Sequence, residues 1–160
     1  MVKNSKNLLI KFIFFVSIIS LVSAFFIEYV LGHQPCNLCV LERIPYLLAI
    51  IIVFLNYKFI LFEKFFILLL TIIFLAGTTL SLYHLGIEQG FIQESLVCDL
   101  KNGSNLLSKE EILQQLQEKS VSCKDVTFKI FGLSLTSYNI LISLLITISA
   151  GKIYFNYDKS

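Results

Sequence analysis

The fold class that the sequence predicts is all-α: an integral membrane four-helix bundle with one long outer loop carrying a short amphipathic helix. Three observations predict it. Of the 160 residues 56% are hydrophobic and 15% charged, with a mean hydropathy of +0.80. Average soluble domains are roughly 45–50% apolar and about 25% charged, and a chain this short has too much surface to hide such an excess in one aqueous core. Four apolar stretches reach, or nearly reach, the about 20 residues that a helix needs to cross a bilayer. The four cysteines fall in only two of the segments between those stretches. The net charge of +2 comes without a basic cluster, which gives no support to a nucleic-acid footprint.

The first span is expected over 12–31, behind Lys3, Lys6 and Lys11. Val22-Ser23-Ala24 resembles a signal-peptidase site, but the apolar run continues to Leu31. A signal h-region is only about 7–15 residues long, so an uncleaved anchor is expected. The second span is cleanly apolar only from Ile44 to Leu55 and reaches spanning length over 39–58. That extension leaves Arg43 about one turn inside the outer end and Lys58 free to snorkel. The third covers 65–85 and the fourth 131–150, where Ser134, Thr136, Ser137, Ser143 and Thr147 suit close helix–helix contact. The chain 1–160 is then one membrane domain with outer loops over 32–38 and 86–130.

Four spans put both termini on one side, and the distribution of Lys and Arg selects that side. Segments 1–11, 56–64 and 151–160 hold seven lysines in 30 residues, whereas 28–43 and 86–130 hold six basic residues in 61. The denser set belongs in the cytoplasm, and both cysteine-bearing loops belong outside.

Cys36 and Cys39 lie in the first outer loop, Cys98 and Cys123 in the second. Disulfides persist on the oxidising face of a membrane and are rare in the cytosol, so two pairs there point to thiol–disulfide chemistry. Structural staples remain an equal reading for Cys98 and Cys123 taken alone. Cys36-Asn37-Leu38-Cys39 fits a staple less well, because so short a loop constrains little chain entropy. Its spacing instead holds a resolving thiol beside an attacking one. Pro35 restricts the chain on approach, the following helix start favours a thiolate, and Arg43 adds a permanent positive charge one turn deeper. Covalent haem attachment is excluded because Val40, not His, follows Cys39. A second C-x2-C is also missing, since 24 residues separate Cys98 from Cys123, so a metal site is not expected.

Within 86–130, Ser108-Lys109-Glu110-Glu111 reads as a capping box with Leu107 and Ile112 at the staple positions. Ile112, Leu113 and Leu116 then form one apolar stripe, for the bilayer surface or as a lid on the bundle. Charged and titratable groups near spans are functional candidates by default. Arg43 needs a partner, for which Glu28 and Glu42 are at hand, and His84 at the end of the third span is a candidate ligand for a head group or a hydrogen-bonded interfacial histidine. His33 reads as an ordinary loop residue.

The run Gly32-His33-Gln34-Pro35-Cys36-Asn37-Leu38-Cys39-Val40-Leu41-Glu42-Arg43 resembles the signature of the disulfide bond formation protein B (DsbB) family of bacterial inner-membrane thiol oxidases. Tyr83-His84-Leu85-Gly86-Ile87-Glu88-Gln89-Gly90 is similar to the end of that family's third helix, and Phe131-Gly132-Leu133-Ser134-Leu135-Thr136-Ser137-Tyr138-Asn139 to the start of its fourth. The resemblance implies a membrane bundle with a quinone, ubiquinone or menaquinone, near the outer surface. It implies a Cys98–Cys123 loop disulfide that oxidises a periplasmic, thioredoxin-like DsbA-type protein, with Cys98 the sulfur attacked. Electrons would pass to Cys36 and Cys39, with Cys39 meeting the quinone ring and Arg43 stabilising charge there. A DsbA–DsbB–quinone relay keeps the bacterial periplasm oxidising kinetically rather than through a redox buffer, and the resemblance implies a place for this chain in such a relay. Several relatives carry Pro where this chain has Thr136 and Trp where it has Tyr138, departures that touch a helix start rather than the thiols. The rivals are a reductase running electrons outward, for which cysteines within the spans would be expected, and a small membrane scaffold with inert disulfides or a structural metal.

The topology is checked by single cysteines in a chain otherwise free of them. A membrane-impermeant thiol reagent applied to intact spheroplasts should label Ser104→Cys and leave Ser160→Cys unlabelled until the membrane is opened; the reverse pattern would invert the orientation.

Overall fold

A computed structural model of the chain describes residues 2–59, 62–93, 122–124, 129–130 and 132–157. Four helices are long and apolar enough to cross a membrane: Asn7–Tyr29, Asn37–Lys58, Glu63–Glu88 and Leu135–Phe155. The amphipathic helix expected around 108–117 lies outside the described residues.

Helix α1 runs from Val2 to Tyr29. The second span consists of two pieces, a five-residue α2 (Asn37–Leu41) and α3 (Ile44–Lys58). The interruption has a local cause. Pro45, in the first turn of α3, has no N–H to give the Leu41 carbonyl. The chain tightens there into a three-residue step, in which Arg43 N–H donates to Val40 O at 3.1 Å. Arg43 therefore stands at a helix junction and not, as the sequence alone implied, within a continuous helix.

Helix α4 (Glu63–Glu88) ends in a Schellman arrangement. Gly90 takes φ +78°, Gly90 N–H donates to Ile87 O at 3.0 Å, and Phe91 N–H donates to Gly86 O at 2.9 Å. The fourth span begins at Leu135, four residues later than expected. A two-residue antiparallel ladder, β1 (Lys129–Ile130) with β2 (Leu133–Ser134), precedes it, with Gly132 at φ +83° in the turn. Ser134 then caps α5 (Leu135–Phe155), its side chain accepting from Ser137 N–H.

The helices close a ring: α4 lies along α5, α3 sits between α1 and α4, and α1 touches α5. One end of the bundle is packed by Ile10, Ile13, Ala49, Ile52, Val53, Leu70, Phe74 and Ile146, with Tyr46 edge-on to Phe74 at its upper rim. A second cluster at the other end holds Cys36, Leu38, Ile87 and Cys123. The outside carries Phe12, Phe15, Phe54, Phe65 and Leu145, all exposed, while Ser17, Ser81, Ser143, Thr78 and His84 are buried. Apolar side chains facing outward and small polar ones facing inward fit a bundle whose solvent is lipid.

Close approach of three helices depends on Gly77. A Cβ there would lie 3.1 Å from Pro45 Cγ on α3 and 4.0 Å from Ser143 Oγ on α5. Gly77→Val should therefore lower thermal stability in detergent by about 1–3 kcal/mol through overpacking, with Gly77→Ala intermediate. Equal melting temperatures for all three chains would refute the tight contact.

Candidate functional site

The chemistry gathers at the end of the bundle where α1 and α4 finish and α2 and α5 begin. Pro35 leads into Cys36, whose backbone is extended (φ −71°, ψ 167°) and whose sulfur caps α2 by accepting Cys39 N–H at 3.3 Å. One turn later the Cys39 sulfur comes within 2.7 Å of Cys36 Sγ. Both are free thiols, Cys36 buried and Cys39 half-buried. Cys123 is buried in the same cluster as Cys36 and is disulfide-bonded. Cys98, the partner that the family resemblance implies for it, lies outside the described residues.

Beneath the thiols is His84, 1% exposed. Its Nε2 lies 3.5 Å from Cys36 Sγ and its Nδ1 is 2.7 Å from Glu42 Oε1. A carboxylate only accepts, so Nδ1 carries the proton and Nε2 faces the sulfur. Glu42 Oε2 accepts from Asn139 Nδ2 at 2.9 Å, and the same amide donates to Ser81 Oγ at 2.8 Å. Tyr46 donates its hydroxyl to Asn139 Oδ1. Thr136 donates to Glu88 Oε1 at 2.6 Å while lying 3.2 Å from His84 Nδ1. Threonine at 136 thus ties the start of α5 to the end of α4 through its hydroxyl.

Arg43 turns the other way. Its Nη1 pairs with Glu28 Oε2 at 2.5 Å and its guanidinium lies 5.2 Å from the centre of the Phe25 ring. Of the two acids available to it, Glu28 takes the arginine and Glu42 takes the histidine. The guanidinium, Cys39, Cys36 and His84 all line a cavity of about 310 Å³. Ile19, Ala24 and Ile27 of α1 and Ile142 of α5 give it an apolar wall. His33 lines the same cavity.

Cys36 lies outside the membrane-spanning segments, and its thiol is lowered from the usual 9.0 to about 5. The hydrogen bond from Cys39 is the largest cause, and burial opposes it. The His84 imidazole, by hydrogen bond and by charge, and the Cys39 N–H complete the stabilisation of the thiolate. The side chain that the fold brings to Cys36 from another helix is therefore His84, while Arg43 pairs with Glu28.

Of the sequence candidates, Cys36, Cys39, Arg43, His84 and Cys123 come together at one end of the bundle. Sequence reasoning missed Asn139, Tyr46, Glu88 and the histidine-directed role of Glu42. The available signal was an amide and two carboxylates inside or at the ends of apolar spans, where each polar group must find a partner.

A family model described as "Disulfide bond formation protein DsbB" matches residues 6–152. A protein of Rickettsia prowazekii (strain Madrid E), described as uncharacterized, is 36% identical over 150 residues, covering 91% of this chain and 85% of its own length. No solved structure matches the chain. The chain belongs to the disulfide bond formation protein DsbB family: it is a multi-pass membrane protein of disulfide formation, with an oxidoreductase role.

Because the folded value for Cys36 is depressed, its thiolate should persist from alkaline pH down through neutrality and be lost as pH falls through about 5. Ultraviolet thiolate absorbance of the reduced Cys39→Ser protein checks this, serine keeping a hydroxyl donor to Cys36. His84→Gln should move the midpoint upward. A midpoint near 9 in both proteins would refute the assignment.

Proposed function

We propose that this chain is a thiol:quinone oxidoreductase of the bacterial inner membrane, with both termini cytoplasmic and the cysteines on the periplasmic face. It reoxidises a DsbA-like dithiol protein and passes two electrons to a membrane quinone. The observation that carries the reading is the Cys36–Cys39 pair on the wall of an apolar cavity that also receives Arg43 and His84. A cavity of this size and lining suits the flat head group of a lipid-soluble acceptor.

The exchange follows from thiolate chemistry. A partner thiolate attacks Cys98 of a Cys98–Cys123 disulfide and releases Cys123 as the leaving thiolate; the partner's second thiolate resolves the mixed disulfide and leaves as the oxidised protein. Cys123 is packed against Cys36 in one apolar cluster, so its thiolate is suited to attack Cys36 of an oxidised inner pair and expel Cys39. Cys98 then closes on Cys123, leaving Cys36 and Cys39 reduced. A quinone held by the cavity residues would supply the two-electron, two-proton sink needed for the inner pair to return to the disulfide. Cys39, half-buried on the cavity wall, would be the sulfur to meet such an acceptor. Arg43 holds positive charge beside it, kept in place by Glu28. His84 holds a proton at Nδ1 against Glu42 and presents Nε2 to Cys36.

Purified protein in detergent, given a reduced thioredoxin-like substrate, should reduce a ubiquinone analogue. Cys39→Ser should abolish quinone reduction from any donor. Cys98→Ser should lose it with the protein donor and retain it with a small dithiol. Absence of quinone consumption by the unaltered protein would sink the proposal.

A further inference from the structure

The geometry points to a metal site in the inner cysteine pair: Cys36 Sγ, Cys39 Sγ and His84 Nε2 bind one soft divalent cation such as zinc in the dithiol state and lose it when the disulfide closes. The three atoms lie within 4.8 Å of one another. Tetrahedral zinc, with Zn–S about 2.3 Å and Zn–N about 2.0–2.1 Å, separates sulfur from nitrogen by about 3.5 Å and sulfur from sulfur by about 3.8 Å. Cys36 Sγ and His84 Nε2 already stand 3.5 Å apart. The two sulfurs stand 2.7 Å apart and need part by only about 1 Å. Cys39, the half-buried member, has the cavity to move into.

The surroundings are those of a histidine prepared for a metal. Ligating imidazoles commonly donate their second N–H to a carboxylate, which fixes the tautomer and raises basicity at the other nitrogen. Glu42 accepts that N–H at 2.7 Å and is itself held by Asn139 at 2.9 Å. Two thiolates and a neutral imidazole balance a divalent charge, and the nearby guanidinium is already matched by Glu28 at 2.5 Å. The donor set is soft and selects zinc or cadmium over magnesium or calcium. The fourth position opens on the cavity and is left for water.

The third ligand is 48 residues from Cys36, which is why spacing alone gave no metal site. Binding displaces thiol protons and moves no electrons. Because it needs both thiolates, a Cys36–Cys39 disulfide abolishes the site, and a bound ion in turn holds the pair reduced. On the relay proposed above, zinc would therefore arrest turnover after the inner pair is reduced.

The test is a titration of full-length protein in detergent, carrying Cys98→Ser and Cys123→Ser so that only the inner pair is present. Cadmium is followed by its sulfur-to-metal ultraviolet band, and zinc by competition with a chromophoric chelator. The reduced protein should bind one ion per chain and the oxidised protein none. His84→Gln should weaken binding at least tenfold, and Glu42→Gln about 10–100-fold as the loss of an outer-shell partner does. Equal binding by oxidised and reduced protein, or unchanged affinity in both variants, would overturn the site. Neither quinone nor partner protein enters the titration, so failure of the relay and failure of the metal site are read separately.

Discussion

The Glu42–His84 hydrogen bond is the interaction on which the rest of this structure depends. Glu42 is 8% exposed and His84 1% exposed, at the end of a bundle with an apolar exterior. A buried carboxylate costs several kcal/mol unless it is paired and its remaining lone pairs are satisfied. Glu42 meets that condition through His84 at one oxygen and Asn139 at the other. The α2–α3 junction, α4 and α5 are thereby fastened to one another at the level of the thiols. The imidazole that results is turned with its second nitrogen toward Cys36, so the same bond that holds three helices together also sets the thiol's environment.

Pro45 makes this arrangement possible. By ending α2 at Leu41 it places Glu42 and Arg43 in a tightened step between two helices, where consecutive side chains diverge. Glu42 reaches inward to α4 and α5, and Arg43 reaches to Glu28 on α1. The proline ring also rests against Gly77, so the residue that interrupts the second span sits where α4 comes closest. Both acids near Arg43 are thus committed, Glu28 to the arginine and Glu42 to the histidine.

The site's position explains how a small apolar protein carries thiol chemistry. Membership of the DsbB family makes it a membrane protein of disulfide formation. Its sulfurs stand at one end of the membrane helices, Cys36 capping the start of α2 and Cys39 one turn along it. Polar partners that would be solvated in a soluble enzyme are here supplied by Asn139, Ser81, Tyr46 and Thr136. These are uncharged polar side chains on membrane helices, whose hydrogen bonds are made within the bundle.

Much of this was legible in the residues. Apolar run length set the number of spans, because the bilayer has one thickness. The C-x-x-C spacing located the inner thiol pair, because two sulfurs one helical turn apart must meet, and Arg43 was identifiable as a charge in need of a partner. Other features were not legible because they depend on distance across the fold. Periodicity does not report the start of α5 at Leu135, which follows from the two-residue ladder and the Ser134 cap. Spacing does not reveal which acid serves Arg43, since Glu28 and Glu42 are both near it in sequence and only the Pro45 step separates their directions. Nor does it bring His84 to Cys36, or Asn139 to Glu42 across 97 residues. The sequence by itself determined the membrane, the spans and the thiols, which are properties of local composition and short spacing. Only the tertiary structure decided the partners, because the pairing of buried polar groups is settled by which helix faces meet.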